Sequence, residues 1–168
     1  MDHHAHDRGE VAVAIVTVSS TRSAAEDTAG DALAAAAEAA GHTVTDRRLV
    51  GDDPAALEAA VVGAAADADA VITTGGTGIT PDDVTIDVVD RLLDIPLPGF
   101  GELFRARSVE EIGTRAIGTR AVAGVRGRGL LVAVPGSAAA ARLAGELIMP
   151  ELGHLVGLRQ RPMDDDAV

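Results

Sequence analysis

Three runs of aliphatic and β-branched residues constrain this chain most: VAVAIVTVSS at 11–20, ADAVITT at 68–74 and GLLVAVPG at 129–136. Each is apolar nearly throughout, without the alternation of a half-exposed strand. That is the pattern of strands covered on both faces by helices, as in parallel sheets. A fourth strand is expected at TVTDRRLV, 43–50.

Helical segments separate these runs. GDALAAAAEAAG (30–41) is alanine-rich and stopped by Gly41. GDDPAALEAAVVGAAAD (51–67) opens with Asp53 as the expected N-cap and Pro54 as the first helical residue. IDVVDRLLD (86–94) follows with Asp83 or Thr85 as its cap, and IPLPGFGE breaks it. SVEEIGTRAIGTRAV (108–122) reads as helical in pieces, and SAAAARLAGELIMPELGHLV closes the fold as a helix. The alternation predicts a three-layer α/β/α, Rossmann-like architecture with a mostly parallel sheet. Residues 11–160 form the expected single domain, between a disordered tail at 1–10 and a frayed acidic C-terminus at 161–168.

Composition narrows the chemistry. All 14 basic residues are arginine, and there is no cysteine. Without lysine, a Walker-type phosphate loop and Schiff-base catalysis are excluded; without cysteine, so are a thiolate nucleophile and Cys-ligated zinc. The histidines are His3, His4 and His6 in the tail, plus His42 and His154. Chemistry is left to carboxylates, hydroxyls, arginines, backbone amides and a bound metal, a set suited to phosphoryl or nucleotidyl transfer. A net charge of −12 argues against nucleic acid as a partner. No apolar run reaches the roughly 20 residues that span a bilayer, so a cytoplasmic location is expected. The acidic, lysine-free composition fits either a high-salt cytoplasm or a GC-rich genome.

Four loops leave the carboxyl ends of the strands, where open α/β sheets bind ligands. They are SSTRSAAEDTAG, VGDDP, TGGTGITPDDVT and VPGSA. In TGGTG, the N–H groups of Gly75, Gly76 and Gly78 are placed to meet a phosphate. Pro81 stands where a dinucleotide fingerprint would have its third glycine. Asp82 and Asp83 read equally as a helix cap or as a metal-bridging carboxylate, and Asp52 and Asp53 can be read both ways as well. Magnesium is usually held through one or two carboxylates together with substrate phosphates.

The combination VSSTRSAAEDTAG, LVGDD, TTGGTGITPDDVT, PGFGELFR followed by EEIGT, and VPGS resembles the MoaB/MogA molybdenum-cofactor family, its MoaB branch above all. The likeness runs from about residue 11 to 157. It implies a molybdopterin adenylyltransferase that uses ATP and Mg²⁺, releases pyrophosphate and assembles as a trimer or hexamer. Molybdenum or tungsten would be added afterwards by a downstream metal-insertion protein. The two essential aspartates of that family fall on Asp52 and Asp83, which would also hold the metal. Its substrate-binding loops fall on Ser19, on Gly75, Gly76, Thr77 and Gly78, and on Pro135, Gly136 and Ser137. Asp27 and Glu102 are further candidates for ligand contact.

One departure stands out. The family commonly places arginine just before the second aspartate, where this chain has Asp82. Arg22, Arg105 and Arg107 are the candidates to compensate. Two other readings stay open: a catalytically silent molybdopterin-binding protein on the same fold, and a nucleotide-binding α/β domain unrelated to the cofactor. Phe100 and Phe104, one helical turn apart, are expected in the core or at a subunit contact.

Overall fold

A computed structural model describes residues 7–21 and 23–161. The histidine cluster of the tail, Arg22 and residues 162–168 lie outside the described residues, as do the corresponding parts of the expected disordered termini.

Among the described residues, six strands and five α-helices follow one another: β1 (Ala12–Val18), α1 (Thr28–Ala39), β2 (Thr43–Val50), α2 (Pro54–Ala64), β3 (Ala70–Thr74), α3 (Thr85–Leu92), β4 (Ile95–Pro96), α4 (Pro98–Ile112), β5 (Val122–Arg126), β6 (Gly129–Val134) and α5 (Ala138–Gln160). A 3₁₀ segment, Gly113–Gly118, follows α4. The strand order is β2-β1-β3-β6-β5-β4. β2, β1, β3 and β6 run parallel, while β5 and β4 pair antiparallel at one edge. The predicted mostly parallel α/β/α sheet is thus observed, extended by two strands that the sequence pattern did not signal.

Strand periodicity divides the core into two layers. Val13 and Ile15 point to one face, with Ile72 and Val132, and meet Leu33 of α1, Phe104 of α4 and Leu152 of α5. Ala14 and Val16 point to the other, with Val71 and Leu131, and meet Leu57 and Val61 of α2 and Val89 of α3. Successive residues of one strand serve opposite faces, which is why the central strands are apolar at nearly every position. β2, at the sheet edge, alternates exposed and half-buried residues instead. Phe100 and Phe104 belong to the first layer, with ring centroids 5.9 Å apart.

Two helix starts carry a side-chain cap. Asp27 caps α1 by accepting the Gly30 N–H at 2.9 Å. Asp53 is the N-cap of α2 with Pro54 in the first turn. Ser137 caps α5 by accepting the Ala140 N–H at 3.1 Å. Neither Asp53 nor Leu97, the N-cap of α4, makes a side-chain cap bond, and the N-cap of α3 is Val84, also without one. Neither Asp83 nor Thr85 fills that role. The first described residues are anchored: Arg8 N–H donates to the Gly153 carbonyl at 3.1 Å, and its guanidinium pairs with Asp69 at 2.9 Å.

Candidate functional site

The loop after β3 is built so tightly that side chains are excluded from it. Gly75 has φ +98, and a Cβ there would lie 2.2 Å from the Val18 carbonyl oxygen. Gly76 has φ +61, and its Cβ would meet Thr85 Oγ1 at 2.5 Å and Asp52 Oδ1 at 3.3 Å. Both need glycine for conformation and for space. Thr85 locks the turn: its hydroxyl donates to the Gly75 carbonyl at 2.7 Å and its N–H to the Gly76 carbonyl at 2.9 Å.

The loop amides divide into committed and open ones. Gly75 N–H donates to the Val134 carbonyl at 3.0 Å, tying the loop to β6. Gly78 N–H turns to the Asp83 carboxylate. Among the described residues, the N–H groups of Gly76 and Thr77 carry no bond. The expected donors Gly75, Gly76 and Gly78 therefore reduce to Gly76, joined by Thr77.

Asp83 folds back over this loop. Its Oδ2 accepts the Thr80 N–H at 2.9 Å and the Thr80 hydroxyl at 2.6 Å. The Thr80 hydroxyl holds the carboxyl below the usual aspartate range against the opposing effect of desolvation, helped by the Thr80 and Gly78 amides and the charge of Arg120. Asp83 is an anion at neutral pH. Asp52 enters from the loop after β2: its Oδ2 accepts the Ser20 N–H at 3.0 Å and hydroxyl at 2.6 Å, while its own N–H donates to Ser20 Oγ at 3.0 Å. Two carboxylates from different strand ends thus face one glycine turn.

These groups line a cleft of about 490 Å³, together with Ser19, Ser20, Thr21, Thr77, Pro135, Gly136, Arg115, Thr119 and Arg120. A larger cleft, about 640 Å³, opens at the opposite end of the sheet beside Asp69, Asp94 and Arg128. Size does not make it the better candidate. The smaller one lies at the carboxyl ends of β1, β3 and β6, and it alone holds the open amides and the paired carboxylates.

Among the described residues, no group of three or more His, Cys, Asp and Glu could hold a metal ion by itself. Two carboxylates are nevertheless what a magnesium ion takes when substrate phosphates complete its shell. The donor set suits a metal that arrives with a phosphate ligand. It does not suit a resident structural ion.

With this geometry in view, the relationships to known proteins are decisive. The profile of the family "Probable molybdopterin binding domain" matches residues 14–154. The chain belongs to that family. Molybdenum cofactor biosynthesis protein B of Bacillus cereus is 45% identical over 158 residues, covering 92% of this chain and 94% of that relative. The Escherichia coli protein of the same name is 43% identical over 143 residues, covering 83% and 84%. A crystal structure of a molybdenum cofactor biosynthesis protein B superposes with TM-score 0.87 at 45% identity, covering 91% of this chain and 98% of the other. The tungsten cofactor synthesizing protein MoaB from Pyrococcus furiosus superposes with TM-score 0.83 at 33% identity, covering 92% and 99%.

On this molybdopterin-binding-domain fold, the predicted residues separate cleanly. Asp52, Asp83, Ser19, Gly75, Gly76, Thr77, Gly78, Pro135 and Gly136 line the cleft. Ser137 does not; it caps α5 and borders a small adjacent cavity beside Phe104. Asp27 is buried and bonded to the Thr17 hydroxyl at 2.8 Å, to Gly30 N–H and to Arg47 at 3.2 Å, so it acts as a structural cap. Glu102 is exposed on α4, outside the cleft lining.

Neither described candidate to compensate for Asp82 reaches the cleft. Arg107 pairs with Glu110 and Glu146, and Arg105 lies against Gly101 on its own helix. The arginines that do line it, Arg115 and Arg120, went unnoticed in the sequence. His154 lies outside the cleft, 2.8 Å from Asp7.

Proposed function

We propose that this protein acts in molybdenum or tungsten cofactor biosynthesis as a molybdopterin adenylyltransferase. The observation that carries the reading is the pairing of Asp52 and Asp83 across a glycine turn with open amides, within a family whose close relatives are named for that pathway. In the reaction, an oxygen of the molybdopterin phosphate attacks the α-phosphorus of ATP. The bond from that phosphorus to the bridging oxygen of the β-phosphate breaks, and pyrophosphate leaves.

The chain's part is positioning and charge placement, as in other phosphoryl transfers. The Gly76 and Thr77 amides donate to a phosphate oxygen. Asp52 and Asp83 would hold Mg²⁺ together with the substrate phosphates, with Ser20 and Thr80 keeping the two carboxylates in place. The ion, when bound with ATP, neutralises phosphate charge that a lysine-free cleft cannot cover alone. Ser20 and Thr80 fix the carboxylates so that little reorganisation is needed when charge develops.

A catalytically silent molybdopterin-binding protein is the second reading. Asp82 favours it, because an acid beside Asp83 repels a triphosphate. Incubation with molybdopterin, ATP and Mg²⁺, followed by mass detection of the adenylylated pterin, separates the two. Product formation supports the transferase. Pterin binding without product supports the silent binder.

A further inference from the structure

We infer that Arg115 is the side chain through which this cleft grips the phosphates of its ligand, whereas Arg120, the other cleft arginine, is a positioning residue. The inference rests on the reading of the cleft as a nucleotide site. It adds an anchoring residue that neither the glycine loop nor the paired carboxylates supply.

The charge balance of the cleft creates the need. Its lining holds two carboxylates, Asp52 and Asp83, and among the described residues the cations in that lining are Arg115 and Arg120. The chain contains no lysine. A polyphosphate entering here meets negative charge first, so a guanidinium with free donors decides whether it stays.

Arg120 has few donors to offer. Its Nε donates to the Thr77 carbonyl at 3.1 Å, and its Nη2 donates to the Gly78 carbonyl, with the Asp83 carbonyl at 3.5 Å. Its Nη1 lies 3.8 Å from the Asp87 carboxylate. The fork thus holds two successive carbonyls of the glycine loop from one side. Peptide planarity then turns the N–H that follows each carbonyl the other way. Arg120 thus spends its donors on shaping the loop.

Arg115 is the opposite case. It lines the cleft, is exposed, and makes no hydrogen bond or ion pair among the described residues. It sits in the 3₁₀ segment Gly113–Gly118, whose first glycine has φ +59. Next to it, Ala116 is buried, and its carbonyl accepts the Thr119 N–H at 3.0 Å. The segment is pinned at Ala116, and the Arg115 side chain is left at the lip with all five N–H donors available. Guanidinium groups recognise phosphate through paired charge-assisted bonds.

The test uses the full chain, Arg115→Gln, Arg115→Lys, Arg120→Gln and Arg120→Lys, with calorimetric titration of Mg·ATP and of inorganic tripolyphosphate. Arg115→Gln should weaken both ligands about tenfold or more and make binding less salt-dependent, with the thermal midpoint unchanged. Arg115→Lys should recover part of the affinity, because an exposed point charge still attracts phosphate. Arg120→Lys should recover little, because the carbonyl clamp needs the fork, and both Arg120 variants should melt lower. Arg115→Gln binding both ligands as tightly as the parent overturns the assignment, as does a loss that Arg115→Lys fails to recover and that comes with a lower melting point. A parent protein that binds neither phosphate ligand overturns it too. A parent that binds tripolyphosphate through Arg115 yet makes no adenylylated pterin sinks the transferase reading and leaves this one standing.

Discussion

Asp83 takes two hydrogen bonds from a single residue, Thr80: its N–H at 2.9 Å and its hydroxyl at 2.6 Å. This clasp, rather than a helix cap, is what the acid before Val84 and Thr85 is for in the ligand-free fold. It keeps the carboxylate charged, and the Thr80 hydroxyl is the main cause. Thr80→Val removes that donor, so the Asp83 pKa should rise toward the ordinary aspartate value. Carboxyl carbon chemical shifts followed through an acid titration read this directly. An unmoved midpoint would show that the hydroxyl is not the controlling partner. Because Asp83 is largely open to solvent, the shift should touch ligand binding at acid pH more than stability.

Asp83→Asn keeps shape and removes charge. Adenylyl transfer should fall on the order of 10²–10³-fold, with fold and assembly unchanged by circular dichroism and light scattering. Full activity in this variant would remove Asp83 from the metal-holding role.

At the far end of the sheet, Asp69 gathers the Ala12 N–H at 3.1 Å, the Gln160 amide at 2.8 Å and Arg8 at 2.9 Å. Burial works against the charge, yet the Gln160, Ala12 and Arg8 donors together hold its pKa below the ordinary value. A lowered folded pKa gives stability that is present above the unfolded value and lost as pH falls through the folded one. Asp69→Asn should therefore destabilise the protein at pH 7 by roughly 1–3 kcal/mol. Melting curves of parent and variant should converge in acid, below about pH 4. A deficit that persists undiminished there assigns the loss to packing.

The surface of α4 and the following segment exposes Leu103, Val109, Ile112 and Ile117, the last at 88%. Phe100 and Phe104 are used up in the protomer's own core, so on this surface these four are the large apolar residues open to a second copy. Light scattering should show a trimer or hexamer, and Ile117→Glu should shift it to lower mass. A parent protein monomeric at micromolar concentration, in both low and multimolar salt, refutes this.

Salt separates the two origins of the −12 net charge. An acidic surface suited to brine should gain thermal stability steadily between 0.1 and 3 M KCl, beyond the screening complete at ordinary ionic strength. A flat or falling midpoint favours codon composition as the cause.

The parallel heart of the sheet was legible because β1, β3 and β6 are buried on both faces and carry no charged residue, only threonines among otherwise apolar positions. β4 and β5 were not. Ile95–Pro96 is two residues long and contains a proline, and Val122–Arg126 carries a central glycine and a terminal arginine. Nothing local marks either as a strand; pairing creates them. The glycine turn and both aspartates could be read from their motifs, since only glycine fits at Gly75 and Gly76. Arg120 could not, because the carbonyls it clamps lie 37 to 43 positions away in the chain. Asp83 was misjudged as a possible cap for the same reason that it is useful: an acid before Val-Thr suits either role until Thr80 is seen to hold it.

The contact of Gly75 with the Val18 carbonyl reaches further than loop shape. Asp52 is tied to Ser20, just beyond Val18, and leans on Gly76, while Asp83 is tied to Thr80 beyond the same turn. The two carboxylates therefore ride on one stiff body, like the faces of a fixed jaw, and their spacing is set before any ligand arrives. A ligand that meets both carboxylates would therefore surrender little conformational entropy of the protein, with no hinge having to swing first.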